Sequence, residues 1–331
     1  MAAIPLTFFR GKASTDERYG KRPAQRSMDE LLACGFIVVD KPSGPSSHQT
    51  SDSVKDLIGV GKAGHLGTLD PNVSGVLPVL LGRAVKAASF LMSENKTYVG
   101  ILQFQADISE KAIRSSFGKF IGEIEQLPPV KSAVARHLRK RSIHSLEIME
   151  MDGRNILFRS HVQAGTYIRK LAHDIGRSSG KGAHLVGLRR TDVGNIHERL
   201  AVTLHVVSEA AWLWKEKKDE SALRRIVLPL ESVIDLIGIK RVGIIDSAVD
   251  PVCSGAQLMA PGVSSAESTI KEGDAVAVMT LKDELVAFGT AAMKPEEMIS
   301  EKGGVAVKTG RVIMERGIYP RWTKQRTEGR D

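Results

Sequence analysis

Apolar residues fall along this chain in short blocks whose spacing switches between strand and helix signatures. The runs FIVVD (36–40) and VLPVLL (76–81) are continuous and too short for a helix, so they read as buried strands. KTYVGILQFQ (96–105) reads as a third strand, and residues 143–164 as a hairpin turning near MDGR (151–154). Helical signals lie between them. Ser27 stands three residues before Glu30, the spacing of a capping box, with Gly35 as the stop. TSDSVKDLIG (50–59), RAVKAASFLMSE (83–94) and the stretch from Thr166 to Ile175 also read as helices, and AHLVGLRRTDVG (183–194) completes this region. Helices and strands do not alternate as regular βαβ units. That predicts an α+β domain built on a mixed, largely antiparallel sheet.

The texture changes near residue 240. IKRVGIIDSAVDP (239–251) predicts a strand and then a helix capped by Asp250 with Pro251 in its first turn. Beyond it, DAVAVMTLKDELVAFGTAAM (274–293) and GGVAVKTGRVIMERG (303–317) are short strands separated by glycines and charged turns, which predicts a small β-barrel.

Composition narrows the function classes. The chain has 331 residues, 42% of them hydrophobic, enough for two cores. Its 47 Lys and Arg against 38 Asp and Glu leave a formal charge of +9, which favours a polyanionic partner. No apolar run approaches the roughly 18 residues a membrane helix needs, and the first residues lack the apolar core of a secretion signal. The chain therefore reads as a cytoplasmic protein that does not contact a membrane. Cys34 and Cys253, far apart and beside apolar or small residues, read as reduced core residues.

Two motifs lack the context they require. GVGKAG (59–64) matches G-x-G-x-x-G but follows a predicted helix, whereas a dinucleotide site needs a preceding parallel strand. The histidines, among them His137, His144, His161, His173, His184 and His197, are scattered, so no metal site is expected. What remains is polar residues in loops. KPSGPSSH (41–48) presents Lys41, Ser43 and His48 on a proline-stiffened turn. GHLGTLDP (64–71) places Asp70 in a glycine-punctuated loop before a buried strand. In GTYIRKLAHDIG (165–176), Tyr167, Lys170, Leu171 and Asp174 follow helical spacing while Arg169 points from another side. Composition alone also allows a tight connection, a turn and an amphipathic surface at these places. The segment 130–146 carries Lys131, Arg136, Arg139, Lys140 and Arg141 without an acid. A second basic stretch, from Lys308 to Arg326, includes Arg311. Phosphate contact by both would make binding strongly salt-dependent.

KPSGPSSH, GHLGTLDPNVSGVLPVLLGRAVKA, KTYVG, GTYIRKLAHDIG and GAHLVGLRRTDVG occur in the order and spacing of the TruB-class pseudouridine synthases, which this chain resembles over nearly its whole length. VCSGAQLMAPGV and the strands after it resemble a PUA domain. The extension YGKRPAQRSMDELLACG resembles that of the catalytic subunits of archaeal box H/ACA ribonucleoproteins, the dyskerin-type synthases. The resemblance implies three regions: residues 1–35 packing on the C-terminal domain, a catalytic domain at 36–240, and an RNA-binding PUA domain at 248–322.

It also implies an activity, the isomerisation of uridine to pseudouridine in rRNA under an H/ACA guide RNA, and in tRNA, after the base is flipped out and without a cofactor. Asp70 matches the family's catalytic carboxylate. Arg169 matches the arginine that pairs with it in a partly dry pocket, and Tyr98 the tyrosine that stacks on the base and helps remove a proton. Tyr167 and Leu188 match pocket residues, while Lys41, Pro42, His65, Gly67 and Thr68 belong to motifs that support the site. Glycines flanking Asp70 would admit the RNA backbone, and Pro71 would restrain the loop. Arg189 and Arg190, with Lys131, Arg136, Arg139, Lys140, Arg141, Lys308 and Arg311, are the expected RNA contacts. Implied partners are the guide, a small zinc-ribbon-containing protein, a glycine- and arginine-rich-type protein and a kink-turn-binding ribosomal-like protein. The sequence departs from the family at Leu66, where a serine is expected, at Gly187, where an acid is frequent, and at His144, where a tyrosine is common. A stand-alone tRNA synthase and a non-catalytic RNA-binding scaffold are the alternatives. The first would not need the N-terminal extension, and the second would not need Asp70, Tyr98 and Arg169 as a set.

Overall fold

The capping box at Ser27 forms as its spacing predicts: the Ser27 hydroxyl accepts from the Glu30 amide at 3.3 Å, and the Glu30 carboxylate accepts from the Ser27 amide at 2.7 Å. It opens the helix Met28–Ala33, which runs into the buried strand Gly35–Lys41. A second capping box, Ser46 with Gln49, opens Ser47–Ile58, three residues earlier than its apolar pattern indicates, and Gly59 closes it in the left-handed conformation. These elements come from a computed structural model that describes residues 6–92, 94–127 and 137–321.

The described residues divide into two compact units. One holds those up to Phe36, Leu80–Phe90 and those from Val227 onward; the other holds Ile37–Val79 and Leu91–Ile226. The division differs from an uninterrupted 36–240 domain, and the reason is local packing. Gly82 approaches Ala33 so closely that a Cβ there would lie 2.2 Å from the Ala33 carbonyl oxygen, and the Phe90 ring stacks on Phe288 at 5.2 Å. The expected 83–94 helix is correspondingly broken into a 3-10 turn, Gly82–Ala87, and a single α-turn, Ala88–Leu91.

In the second unit the strands follow in space as Gly35–Lys41, Ser74–Leu81, Ala183–Val193, Lys96–Phe104, Asn155–Val162, Arg139–Asp152 and Gly122–Gln126. Ser74–Leu81 runs parallel to Ala183–Val193, and the pairs from Ala183–Val193 onward are antiparallel. The helix Ile168–Ser178 covers part of this sheet with Ile168, Leu171, Ala172 and Ile175, an i, i+3, i+4, i+7 stripe. Burying each such large apolar side chain contributes about 1.5–3 kcal/mol.

The first unit is a seven-stranded sheet over a separate core. Its N-terminal strand Thr7–Phe9 pairs antiparallel with Val263–Glu267, and Arg10 donates to the carbonyls of Val263, Ala260, Met298 and Glu301. The helix expected to start at Asp250 instead spans Asp246–Cys253 with Pro251 inside. Asp246 stands in its first turn, where a carboxylate suits the helix dipole, and accepts from Thr15 and the Asp16 amide. Cys34 and Cys253 are free and buried, and burial pushes their thiols up to about 11 and about 12.

Candidate active site

Asp70 opens a tight turn. Its carbonyl accepts from the Val73 amide at 3.0 Å, and Asp at the first position with Pro at the second is favoured turn chemistry. The bland reading of this residue is therefore correct as far as it goes. What a turn does not need is the clamp around it. Ser47 Oγ both accepts from the Leu69 amide at 2.8 Å and donates to its carbonyl at 3.0 Å. Lys41, fully buried, donates to the carbonyls of Pro42 and Pro71 at 2.7 and 2.9 Å, and the Gly44 amide donates to Pro71 as well. Burial pushes the Lys41 ammonium below its ordinary value, the Arg190 charge adds to that, and Asp70 opposes it. The backbone on each side of Asp70 is thus fixed while its side chain stays free to act.

The carboxylate forms an ion pair with Arg169. Arg169 is held by the start of its helix: Gln126, 2% exposed, accepts from the Tyr167 amide and donates to the Tyr167 carbonyl. Nothing in the sequence marks Gln126, a lone polar residue at a strand end. The Asp70 and Arg169 side chains are 53% and 63% exposed, so the pair faces open solvent rather than the partly dry pocket expected.

Beside the pair lies a cleft of about 690 Å³. Val73, Leu185 and Leu188 supply apolar wall; Asn72, Lys170, His173 and His184 supply polar wall, and of these Asn72 carries no sequence signal. Lys170 pairs with Asp174 across one helical turn, which the spacing within GTYIRKLAHDIG already suggested. Tyr98 packs into the core beneath, 9% exposed, with Leu69, Val73 and Leu188. His65 stacks edge-on against His48 at 4.7 Å and reaches Thr68 Oγ1 at 3.3 Å; burial, then the charges of His48 and Arg190, press its imidazole down to about 4.

The departures from the family pattern sit easily here. Leu66 is buried at 1% exposure, so a leucine adds core where a serine would need a partner. A Cβ at Gly187 would meet nothing within 4 Å, and His144 is exposed with its ring 5.1 Å from His161. The flanking glycines have a different cause from RNA access. Gly67 and Gly75 both hold a positive φ, and a Cβ at Gly75 would stand 2.1 Å from the Arg190 carbonyl oxygen.

One expected RNA contact is corrected. Arg190 is 1% exposed and cannot reach a phosphate. Arg189 spends its guanidinium on Asp40 and Glu198, so its charge is already met by two carboxylates. Arg139 and Arg141 are half-buried and Lys140 is exposed, paired with Glu123 at 2.8 Å. Lys308 and Arg311 are exposed on the strand Val305–Val312. Lys131 and Arg136 lie outside the described residues. Among the described residues no cluster of His, Cys, Asp or Glu could hold a metal ion, and no helix is long and apolar enough to cross a membrane.

The chain matches the TruB family pseudouridylate synthase N-terminal domain over residues 55–168, the tRNA pseudouridylate synthase B C-terminal domain over 169–235, the PUA domain over 240–313 and the DKCLD (NUC011) domain over 6–51. It is 46% identical to the protein of Methanosarcina acetivorans named "Probable tRNA pseudouridine synthase B", over 95% of this chain and 92% of that one. The protein of the same name from Methanopyrus kandleri is 45% identical over 97% of this chain and 94% of its own length. A chain of a Cbf5-Nop10-Gar1 complex superposes with a TM-score of 0.90 and 41% identity, covering 97% of this chain and 98% of that chain. A chain from an H/ACA RNP bound to a substrate RNA containing 2′-deoxyuridine does so at 0.88 and 39%, covering 96% and 98%. The chain belongs to the TruB family of pseudouridylate synthases.

Proposed function

We propose that this protein isomerises uridine to pseudouridine in RNA as the catalytic subunit of a guide-directed H/ACA ribonucleoprotein, with Asp70 as the reacting group. The observation that carries the reading is the Asp70–Arg169 pair at the mouth of an apolar-walled cleft, with the aspartate's backbone clamped on both sides. The reaction breaks the bond from ribose C1′ to N1 of the base, turns the base, and joins C1′ to C5; the C5 proton leaves and N1 gains one. All atoms and electrons of the uridine are retained, so the chemistry asks only for a group to engage the nucleotide while the bond is open. A fixed carboxylate supplies that, and fixing it in advance lowers the entropic part of the barrier. Arg169 aims the carboxylate. Leu188 and Val73 would give the flipped base an apolar wall, and Tyr98, in the core cluster that Leu69 and Val73 also join, would be the tyrosine that the family's proton removal calls for.

The guided form is favoured by the N-terminal extension, which matches the DKCLD model and is built into the same unit as the PUA domain through the Thr7–Phe9 strand. It is favoured too by the likeness to chains from Cbf5-Nop10 and Cbf5-Nop10-Gar1 complexes. Guide RNA would engage the exposed cations of the PUA region, Lys308 and Arg311, and substrate RNA the basic group Arg139, Lys140 and Arg141. Accessory proteins of the zinc-ribbon, glycine- and arginine-rich and kink-turn-binding types would complete the particle, acting on rRNA and on tRNA in the cytoplasm. The test is to map pseudouridine in rRNA and tRNA transcripts incubated with the protein, with and without guide RNA and accessory proteins. Modification that requires the guide supports this reading; modification of a tRNA loop alone, unaffected by the guide, selects the stand-alone synthase.

A further inference from the structure

Arg190 is the largest fully buried side chain among the described residues, and the surface role expected of it is closed to it. Its place in the sheet is specific. It is the register partner of Gly75 on the strand that follows the Asp70 turn and of Tyr98 on the strand at its other side, where a bulge between Thr97 and Tyr98 re-aims the tyrosine. The guanidinium Nε donates to the Val76 carbonyl at 2.8 Å and Nη2 to the Gly67 carbonyl at 2.9 Å, so one group holds both ends of the segment that contains Asp70. Across the sheet Arg190 stands directly opposite Tyr98, its register partner. Gly75 is shaped to it as well, since a Cβ there would collide with the Arg190 backbone.

A buried guanidinium whose bonds run to two carbonyls, and not to a carboxylate, is a poor choice for stability alone. Burial lowers the pKa of the group, which is the same cost expressed as a protonation preference. A leucine or methionine would fill the volume without that cost. What the planar fork offers instead is several donors in one rigid geometry, which a lysine or an apolar residue cannot reproduce.

We propose that Arg190 is a positioning residue for the isomerisation: its guanidinium holds both ends of the Asp70 turn against the strand position that pairs with Tyr98, and so sets where the Asp70 carboxylate lies relative to the tyrosine. The proposal rests on the assignment of Asp70 and Tyr98 made above. It makes Arg190 act through both groups while touching no RNA.

The test is single-turnover pseudouridine formation by the full-length protein on the RNA transcript found to be modified, with RNA affinity and thermal unfolding measured on the same samples. Arg190→Met is expected to lower the rate constant about 100-fold, as misplacing reacting groups by an ångström does, while RNA affinity stays within about threefold. Arg190→Lys, which keeps the charge and loses the fork, is expected to recover part of that loss. In combination with Tyr98→Phe, Arg190→Lys is expected to cost less than the two single changes multiplied together, because the two residues are direct neighbours across the sheet. Wild-type rates in folded Arg190→Met, a loss confined to RNA affinity, or unfolding of both Arg190 variants would overturn the proposal. Asp70→Asn serves as the control that separates the two levels. If it is active, the site assignment itself fails; if it is inactive while the Arg190 variants match wild type, only the positioning role fails.

Discussion

The Asp70 turn and the basic start of the Arg139–Asp152 strand both carry charged side chains beside irregular chain, yet they use charge in opposite ways. At the turn the cations are buried: Lys41 is fully enclosed and Arg190 nearly so, and each spends its donors on backbone carbonyls of the loop. At the strand the cations are half-buried or exposed, with Lys140 on Glu123 and Arg141 donating to the Lys140 carbonyl. A buried cation with fixed acceptors is costly, inflexible and geometrically informative. An exposed one is cheap, screened by salt, and able to follow a phosphate. The contrast is between cations that fix the backbone of the Asp70 turn and cations left accessible to a polyanion, although sequence presents both as simple basic positions.

Several changes would sharpen or break that distinction. The largest effect is expected at Arg169, the exposed cation that pairs with the Asp70 carboxylate. Arg169→Met should lower the single-turnover rate by about 10²–10³-fold, roughly 3–4 kcal/mol of transition-state stabilisation, with RNA affinity little changed. An equal loss of affinity would move Arg169 to the binding class. Next is Ser47→Ala, which strips both backbone groups of buried Leu69 of their partner and should cost about 2–3 kcal/mol in chemical unfolding. Unchanged stability would show that the clamp is not what holds the turn. Replacing Lys308 and Arg311 together by glutamate should weaken guide RNA binding by about tenfold or more and flatten its salt dependence, with no change in the rate of bound substrate. Finally, His65 yields a pH dependence. Its imidazole is pressed down to about 4 in the folded protein against about 6.5 when unfolded. The unfolded chain therefore binds more protons between those values. The folded state keeps this contribution above about pH 6.5 and loses it as pH falls toward 4, so His65→Gln should flatten the acid limb of a stability profile.

Much of this was legible in the sequence, and the misses have physical causes. Capping boxes, the hairpin at 151–154 and the buried runs are local signals, so they predict the elements at Met28–Ala33, Arg139–Val162 and Ser74–Leu81 closely. The 83–94 helix is not local: close packing of Gly82 on Ala33 and of Phe90 on Phe288 breaks it. Pro251 was a poor guide to a helix start, since Asp246 already occupies the first turn. At the site, the motif spacing marks Asp70 and Arg169 without revealing that the two meet, because 99 residues separate them. Arg190 is the instructive case. A run of two arginines reads as surface, but alternation along a strand turns one toward Asp40 and Glu198 and the other into the core. Gln126 carries no signal that would distinguish it from any polar strand end.

The most direct test of the central claim is pseudouridine formation by Asp70→Asn under single-turnover conditions, with RNA affinity measured in parallel. The amide keeps the size and the turn but removes the charge that Arg169 pairs with. The account predicts that product disappears while RNA binding stays within several-fold of the unaltered protein. Pseudouridine forming at the unaltered rate would contradict it.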